Sequence, residues 1–185
     1  SAASDVYKRQ IQEDIPYYAM HTNYDILGMA DLSAEYIGIS QTSVLSVTED
    51  GLDGTQGFGR AGNLPKEMSL GEYAGFIKTS LKLKDVRVYG DLNMPVKRAA
   101  VCTGSGKSMI SDALAAGADV YVTGDIDHHS GIDALQAGLA VIDAGHYGTE
   151  YIFMDAMKKR IQEVFDGLKV TCAKVQCPYT LMADL

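Results

Sequence analysis

The chain has 185 residues and a formal net charge of −8, with 46% hydrophobic and 22% charged residues. That length accommodates one compact or two-lobed domain with a substantial core, and the composition is that of a soluble globular protein. The acidic balance argues against nucleic acid as a main partner, because phosphate backbones need a basic surface, and no apolar run reaches the length of a membrane span.

Ser1 to Gln10 is small and polar without a hydrophobic period, and is set aside as a disordered leader, leaving residues 11–185 as the folded domain. Ile15 to Met20 reads as a short strand ending at His21-Thr-Asn-Tyr-Asp25, with Asp25 on the loop beyond it or capping the helix that follows. Leu27, Ala30, Ala34 and Ile37 recur near helical spacing, and Ser43 to Thr48 has strand character. Gly51 to Pro65 is so rich in glycine that it reads as a turning connection. Ser69 and Glu72 form a capping-box pattern that opens a helix to about Leu81.

Asp85 to Gly90 and Ala99 to Thr103 are strand candidates. Lys107 to Gly117 is helical, Asp119 to Thr123 a strand, Asp127 to Gly138 a helix and Ala140 to Ala144 a strand. A helix over Thr149 to Phe165 and a last strand over Leu168 to Ala173 complete the order. From Ala99 onward strands alternate with helices, which predicts an α/β fold with a mostly parallel sheet and helices on both faces. Cys102, Cys172 and Cys177 lack a C-x-x-C pairing, too few for a zinc site of their own, and a reducing cytoplasm is the expected compartment.

Three segments carry candidate chemistry. His146 and Glu150, four apart after an apolar strand, stack on one helix face, where an imidazole and a carboxylate can share a divalent cation. The alternative is a solvated pair in a first helical turn. Asp125, Asp127, His128 and His129 crowd the end of another strand, as ligands, proton carriers or a helix cap with exposed histidines. His21 and Asp25 follow a third. If these strand ends share one sheet edge, they converge on a carboxylate-rich site suited to manganese, iron, zinc or magnesium. Gly104-Ser105-Gly106-Lys-Ser108 is no triphosphate loop, since Val101 stands where the first glycine is needed, but its amides can hold a substrate phosphate.

In this order and spacing, His21-Thr-Asn-Tyr-Asp25, Gly104-Ser-Gly106, Thr123-Gly-Asp125 with His129, and Asp143-Ala-Gly-His-Tyr-Gly-Thr-Glu150 resemble the Nif-three-like family of dinuclear-metal-centre proteins, also known as GTP cyclohydrolase I type 2. The resemblance runs from about Ile11 to the C-terminus. It implies a two-lobed α/β subunit, a toroidal homohexamer and two divalent ions per subunit. It assigns Asp25, His146 and Glu150 as metal ligands and His129 to the lining of the same cavity, where it acts on substrate or supports the ligands, and makes His21 structural or supporting. Asp125 joins His129 as a proton carrier, and Gly104, Ser105 and Gly106 take the phosphate. The family's adjacent His-His ligand pair has no counterpart before Ile11, and His128-His129 lies in a different motif, so the chain reads as N-terminally truncated. The expected function is a metal-dependent hydrolase of a nucleotide or small phosphorylated substrate. The alternatives are a non-catalytic metal-binding or regulatory hexamer, or an inactive truncated member.

Overall fold

The structure, a computed structural model, describes residues 2–51 and 54–179. Helix α1 spans Ala2–Glu13, and three helical pieces follow without a break: α2 (Thr22–Tyr24), a π turn (Asp25–Met29) and α3 (Ala30–Tyr36). A long hairpin, β1 (Ser40–Gly51) and β2 (Gly54–Ser69), leads to α4 (Leu70–Ser80), β3 (Arg87–Tyr89) and β4 (Pro95–Ser105). A 3-10 turn (Lys107–Met109) and α5 (Ile110–Ala115) return to β5 (Val120–Gly124). Then come α6 (His128–Gln136), β6 (Ala140–Asp143), α7 (His146–Glu150) and α8 (Phe153–Val164).

The six strands form one sheet in the order β1-β2-β4-β5-β6-β3. Its centre, β4-β5-β6, is parallel, while β1-β2, β2-β4 and β3-β6 pair antiparallel. The sheet is therefore mixed, and the parallel arrangement expected from the strand-helix alternation is confined to the strands that alternation covers. Central strands read as unbroken apolar runs because both of their faces are covered. Side chains point alternately up and down. Ala99, Val101, Val120, Val122, Ala140 and Ile142 pack beneath α3, α4 and the start of α8. Ala100, Cys102, Tyr121 and Val141 pack against α5 and α6 on the other face.

Helix α4 begins where the capping box predicts. The Ser69 N–H donates to Glu72 Oε2 at 2.8 Å and the Glu72 N–H to Ser69 Oγ at 3.2 Å. The Ser69 backbone N–H first, then its hydroxyl, hold the Glu72 carboxyl below its ordinary value. A depressed folded value gives stability that is present above the unfolded value and lost as pH falls through the folded one. The expected result is a stability gap between the parent and Glu72→Ala in urea titrations at neutral pH, closing under acid conditions. An equal gap once carboxylates are protonated would rule out the ionised cap.

Several expectations need correction. Ile15 to Met20 forms no strand, and Ile15, Tyr17 and Tyr18 are exposed, with no buried face to hold an extended segment in place. The stretch Gly51 to Pro65 is mostly strand β2, not a turning connection. Gly57, Gly59 and Gly62 within it serve close passage: a Cβ on Gly62 would stand 2.6 Å from the Ser40 carbonyl oxygen. The helix expected over Thr149 to Phe165 starts at His146 and is interrupted at Tyr151 and Ile152, giving α7 and α8. Leu168 to Ala173 is not a strand: it is mostly exposed and pairs with none of the six strands of the sheet. The segment Ser1 to Gln10, set aside in the sequence, falls largely within α1. No helix among the described residues is long and apolar enough to cross a membrane.

Candidate functional site

A cavity of about 230 Å³ opens beside the carboxyl ends of β4 and β5, where open α/β sheets place ligands. His21, Asp25, Gly104, Ser105, His146 and Glu150 line it, with Cys102 and Phe58 contributing to its wall. Four separate stretches of chain supply these groups. The π turn carries Asp25 and β4 ends in the Gly104–Ser105 loop. α7 contributes His146 and Glu150, and Phe58 comes from the hairpin.

The core of the arrangement is the His146 imidazole. Its Nδ1 is 2.8 Å from Asp125 Oδ2 and its Nε2 is 3.1 Å from Glu150 Oε1. An ionised carboxylate only accepts, so Asp125 places the proton on Nδ1 and turns Nε2 toward Glu150. Asp125 reaches this position from a left-handed backbone conformation, φ 57°, uncommon for a non-glycine residue although aspartate is among those that adopt it. Burial by itself would lower the His146 pKa, but the Asp125 hydrogen bond and the charges of Glu150 and Asp125 together raise it. Burial raises Glu150, offset by His146 and reinforced by the Asp25 charge. Asp25 is likewise raised by burial against the opposing pull of His21 and His146. Burial also pushes the Cys102 thiol up to about 11, so it is a wall residue and not a nucleophile at neutral pH.

This donor set is compatible with a divalent ion. Two ligands each roughly 2.1 Å from one ion lie about 3.0–3.4 Å from each other, and the His146 Nε2 to Glu150 Oε1 separation of 3.1 Å falls in that window. A carboxylate on the remote imidazole nitrogen is the usual support for a metal-bound histidine. The pair is half of a site: among the described residues no three His, Cys, Asp or Glu groups gather into a set that could hold an ion. Asp25 shares the cavity without closing that set.

The Gly104–Gly106 loop plays a different part from the one expected. The Gly104 N–H donates to Thr149 Oγ1 at 2.9 Å and the Gly106 N–H to Thr123 Oγ1 at 3.0 Å, so neither amide is free for a phosphate. Tyr121 OH donates to the Gly106 carbonyl, tying the loop from the far side. The loop is a brace that brings β4 against α7, and it offers the cavity the side chains of Ser105 and Ser108. Gly104, at φ 67°, passes so close to the site that a Cβ there would lie 2.5 Å from Glu150 Oε1.

His129 does not join the others. It is exposed on the first turn of α6, edge-on to His128 at 5.4 Å, and outside the cavity lining. Asp127, the residue before this pair, is the cap of α6, accepting from the Ser130 N–H at 3.0 Å and pairing with Lys107 at 2.6 Å. Asp125 belongs to the site as the hydrogen-bond partner of His146. His21 lines the cavity, with Nδ1 2.9 Å from Thr22 Oγ1. The bracing threonines Thr123 and Thr149 went unnoticed in the sequence, where a buried hydroxyl looks like any other.

The structure is a mixed α/β layer with a histidine–carboxylate cavity beside its parallel strand ends. The chain belongs to the Duf34/NIF3 (NGG1p interacting factor 3) family, whose model matches residues 1–178, including the stretch the sequence reading set aside. It is 34% identical over 159 residues to a Clostridium perfringens protein named GTP cyclohydrolase 1 type 2 homolog, covering 85% of this chain and 60% of that one. A Streptococcus pneumoniae protein of the same name is 39% identical over 158 residues, covering 82% and 57%. The chain thus spans about three fifths of the length of these relatives. A Bacillus cereus protein related to NIF3 shares the fold with a TM-score of 0.90 at 24% identity, covering 98% of this chain and 78% of that one. A Staphylococcus aureus hypothetical protein matches with a TM-score of 0.85 at 27% identity, over 95% and 71%.

Proposed function

We propose that the cavity binds a divalent cation through His146 and Glu150, with Asp25 on the facing wall, and that the protein is a metal-dependent hydrolase of a nucleotide or another small phosphorylated substrate. The observation that carries this reading is the imidazole held at Nδ1 by Asp125 with Nε2 beside Glu150 at ligand-pair distance. The raised carboxyl groups of Asp25 and Glu150 point the same way, since a cation would relieve the burial of their charges. The relatives named as homologs of a GTP cyclohydrolase support the nucleotide class.

When bound, such an ion supplies Lewis acidity and a water of lowered pKa. Asp125 keeps the imidazole in one tautomer, Gly104 leaves the space that Glu150 occupies, and the Ser105 and Ser108 side chains face the substrate. Three free thiols support a reducing, cytoplasmic setting. Association into a homohexamer, which the family resemblance implies, belongs to the same proposal.

Metal content per protomer after loading with manganese or zinc tests the reading directly. Bound metal is expected in the parent and lost in His146→Ala and Glu150→Ala; a parent that takes up none overturns it. Metal bound without product from GTP would remove the hydrolase and leave a metal-handling protein.

A further inference from the structure

Asp143 ends β6 and is 4% exposed, among the few buried acidic groups of the protein. Both of its oxygens are used. Oδ2 accepts the Ile126 N–H at 3.1 Å, and Oδ1 accepts the Gly145 N–H at 2.9 Å. Ile126 directly follows Asp125, and Gly145 directly precedes His146. One carboxylate therefore grips the chain immediately beside each partner of the Asp125–His146 hydrogen bond. Arg87 on β3 completes the clasp: its Nη2 donates to Asp143 Oδ2 and to the Ile126 carbonyl at 3.1 Å. Both peptide bonds flanking Ile126, directly after the left-handed Asp125, are thus held by the pair.

We propose that Asp143 is the positioning residue of the site, holding the turns after β5 and β6 in the register that lets Asp125 meet His146 Nδ1. Arg87 is its accessory, carrying the same grip to the carbonyl side of Ile126. The inference deepens the metal-site reading, yet it concerns a hydrogen bond that exists without any ion. Backbone turns at strand ends have several ways to close. Only a closure that brings Asp125 within 2.8 Å of His146 leaves Nε2 directed at Glu150. A buried carboxylate with two amide donors and a guanidinium selects that closure.

Asp119 supplies an internal control. Its Oδ2 also accepts two backbone N–H groups, from Lys97 and Arg98, both at 2.9 Å, at the opposite end of the same strands. The experiment is nitrogen-15 NMR of the histidine side chains in the metal-free protein, for the parent, Asp143→Asn, Arg87→Gln and Asp119→Asn, beside manganese titrations of each. The parent is expected to show His146 with a hydrogen-bonded Nδ1 proton. Asp143→Asn and Arg87→Gln should lose it and bind manganese about tenfold more weakly. Asp119→Asn should leave both readings unchanged. An Asp143→Asn protein that keeps the parent His146 signal overturns the proposal, as does an Asp119→Asn protein that loses it equally. If Asp143→Asn fails to fold, Arg87→Gln, altered on a side chain 63% exposed, decides by the same signal. A parent that binds no manganese would remove the metal reading alone, because the imidazole signal judges Asp143 independently.

Discussion

Gly124→Ala is expected to lose about 3 kcal/mol of stability, at the upper end of overpacking costs. The added Cβ would lie 2.5 Å from both the Gly145 carbonyl carbon and the His146 nitrogen, and 2.8 Å from the Gly104 carbonyl oxygen. All three are backbone atoms, so no side-chain end can swing aside. β5 would have to part from α7 or from β4. For a domain of this size each kcal/mol moves the thermal midpoint by roughly 2–4 °C, so a fall of about 6–12 °C is the expected reading by circular dichroism. A midpoint equal to that of the parent would mean that β5 and α7 are not held in contact at Gly124.

Gly104→Ala is expected to spare the fold and remove the site. At φ 67° an alanine adds about 1 kcal/mol of backbone strain. Its Cβ would fall 2.5 Å from Glu150 Oε1 and 3.3 Å from His146 Nε2. Here the obstructed atom is the end of a flexible side chain, so the carboxylate turns away and takes one donor with it. Manganese affinity should drop by roughly 100-fold, the large end of what disturbed ligand positioning costs. Calorimetric titration checks this, with the thermal midpoint lowered by only a few degrees. Unchanged affinity would remove Glu150 from the ligand set. The contrast between the two glycines, one pressed by backbone and one by a carboxylate, separates fold from site.

The sequence was most readable where a local rule and the tertiary environment agree. Ser69 and Glu72 announced α4, and the apolar runs of β5 and β6 announced strands covered on both faces. His146 and Glu150 announced a shared face through their spacing alone, and they do meet. Legibility failed where glycine carries two meanings. At Gly57, Gly59 and Gly62 it marks close passage of neighbouring backbone, which looks the same in sequence as a turn. It failed again at His129, because chain proximity to Asp125 does not decide direction: after the left-handed turn at Asp125 the chain enters α6 with that histidine facing solvent. The Gly104–Gly106 amides misled for a related reason. Whether an N–H is free depends on partners 45 residues away at Thr149 and 17 away at Thr123, and no local pattern records them.

Because the cavity takes its parts from a π turn, a hairpin strand, one strand end and a helix start, no single supersecondary unit carries it. Whatever binds there grips only the folded chain. Such a ligand raises stability by mass action, by about 2.7 kcal/mol when present at 100 times its dissociation constant. Ligand supply then sets how long each molecule persists: a chain deprived of it opens more often and reaches proteases sooner, so the abundance of the protein follows the availability of what it binds.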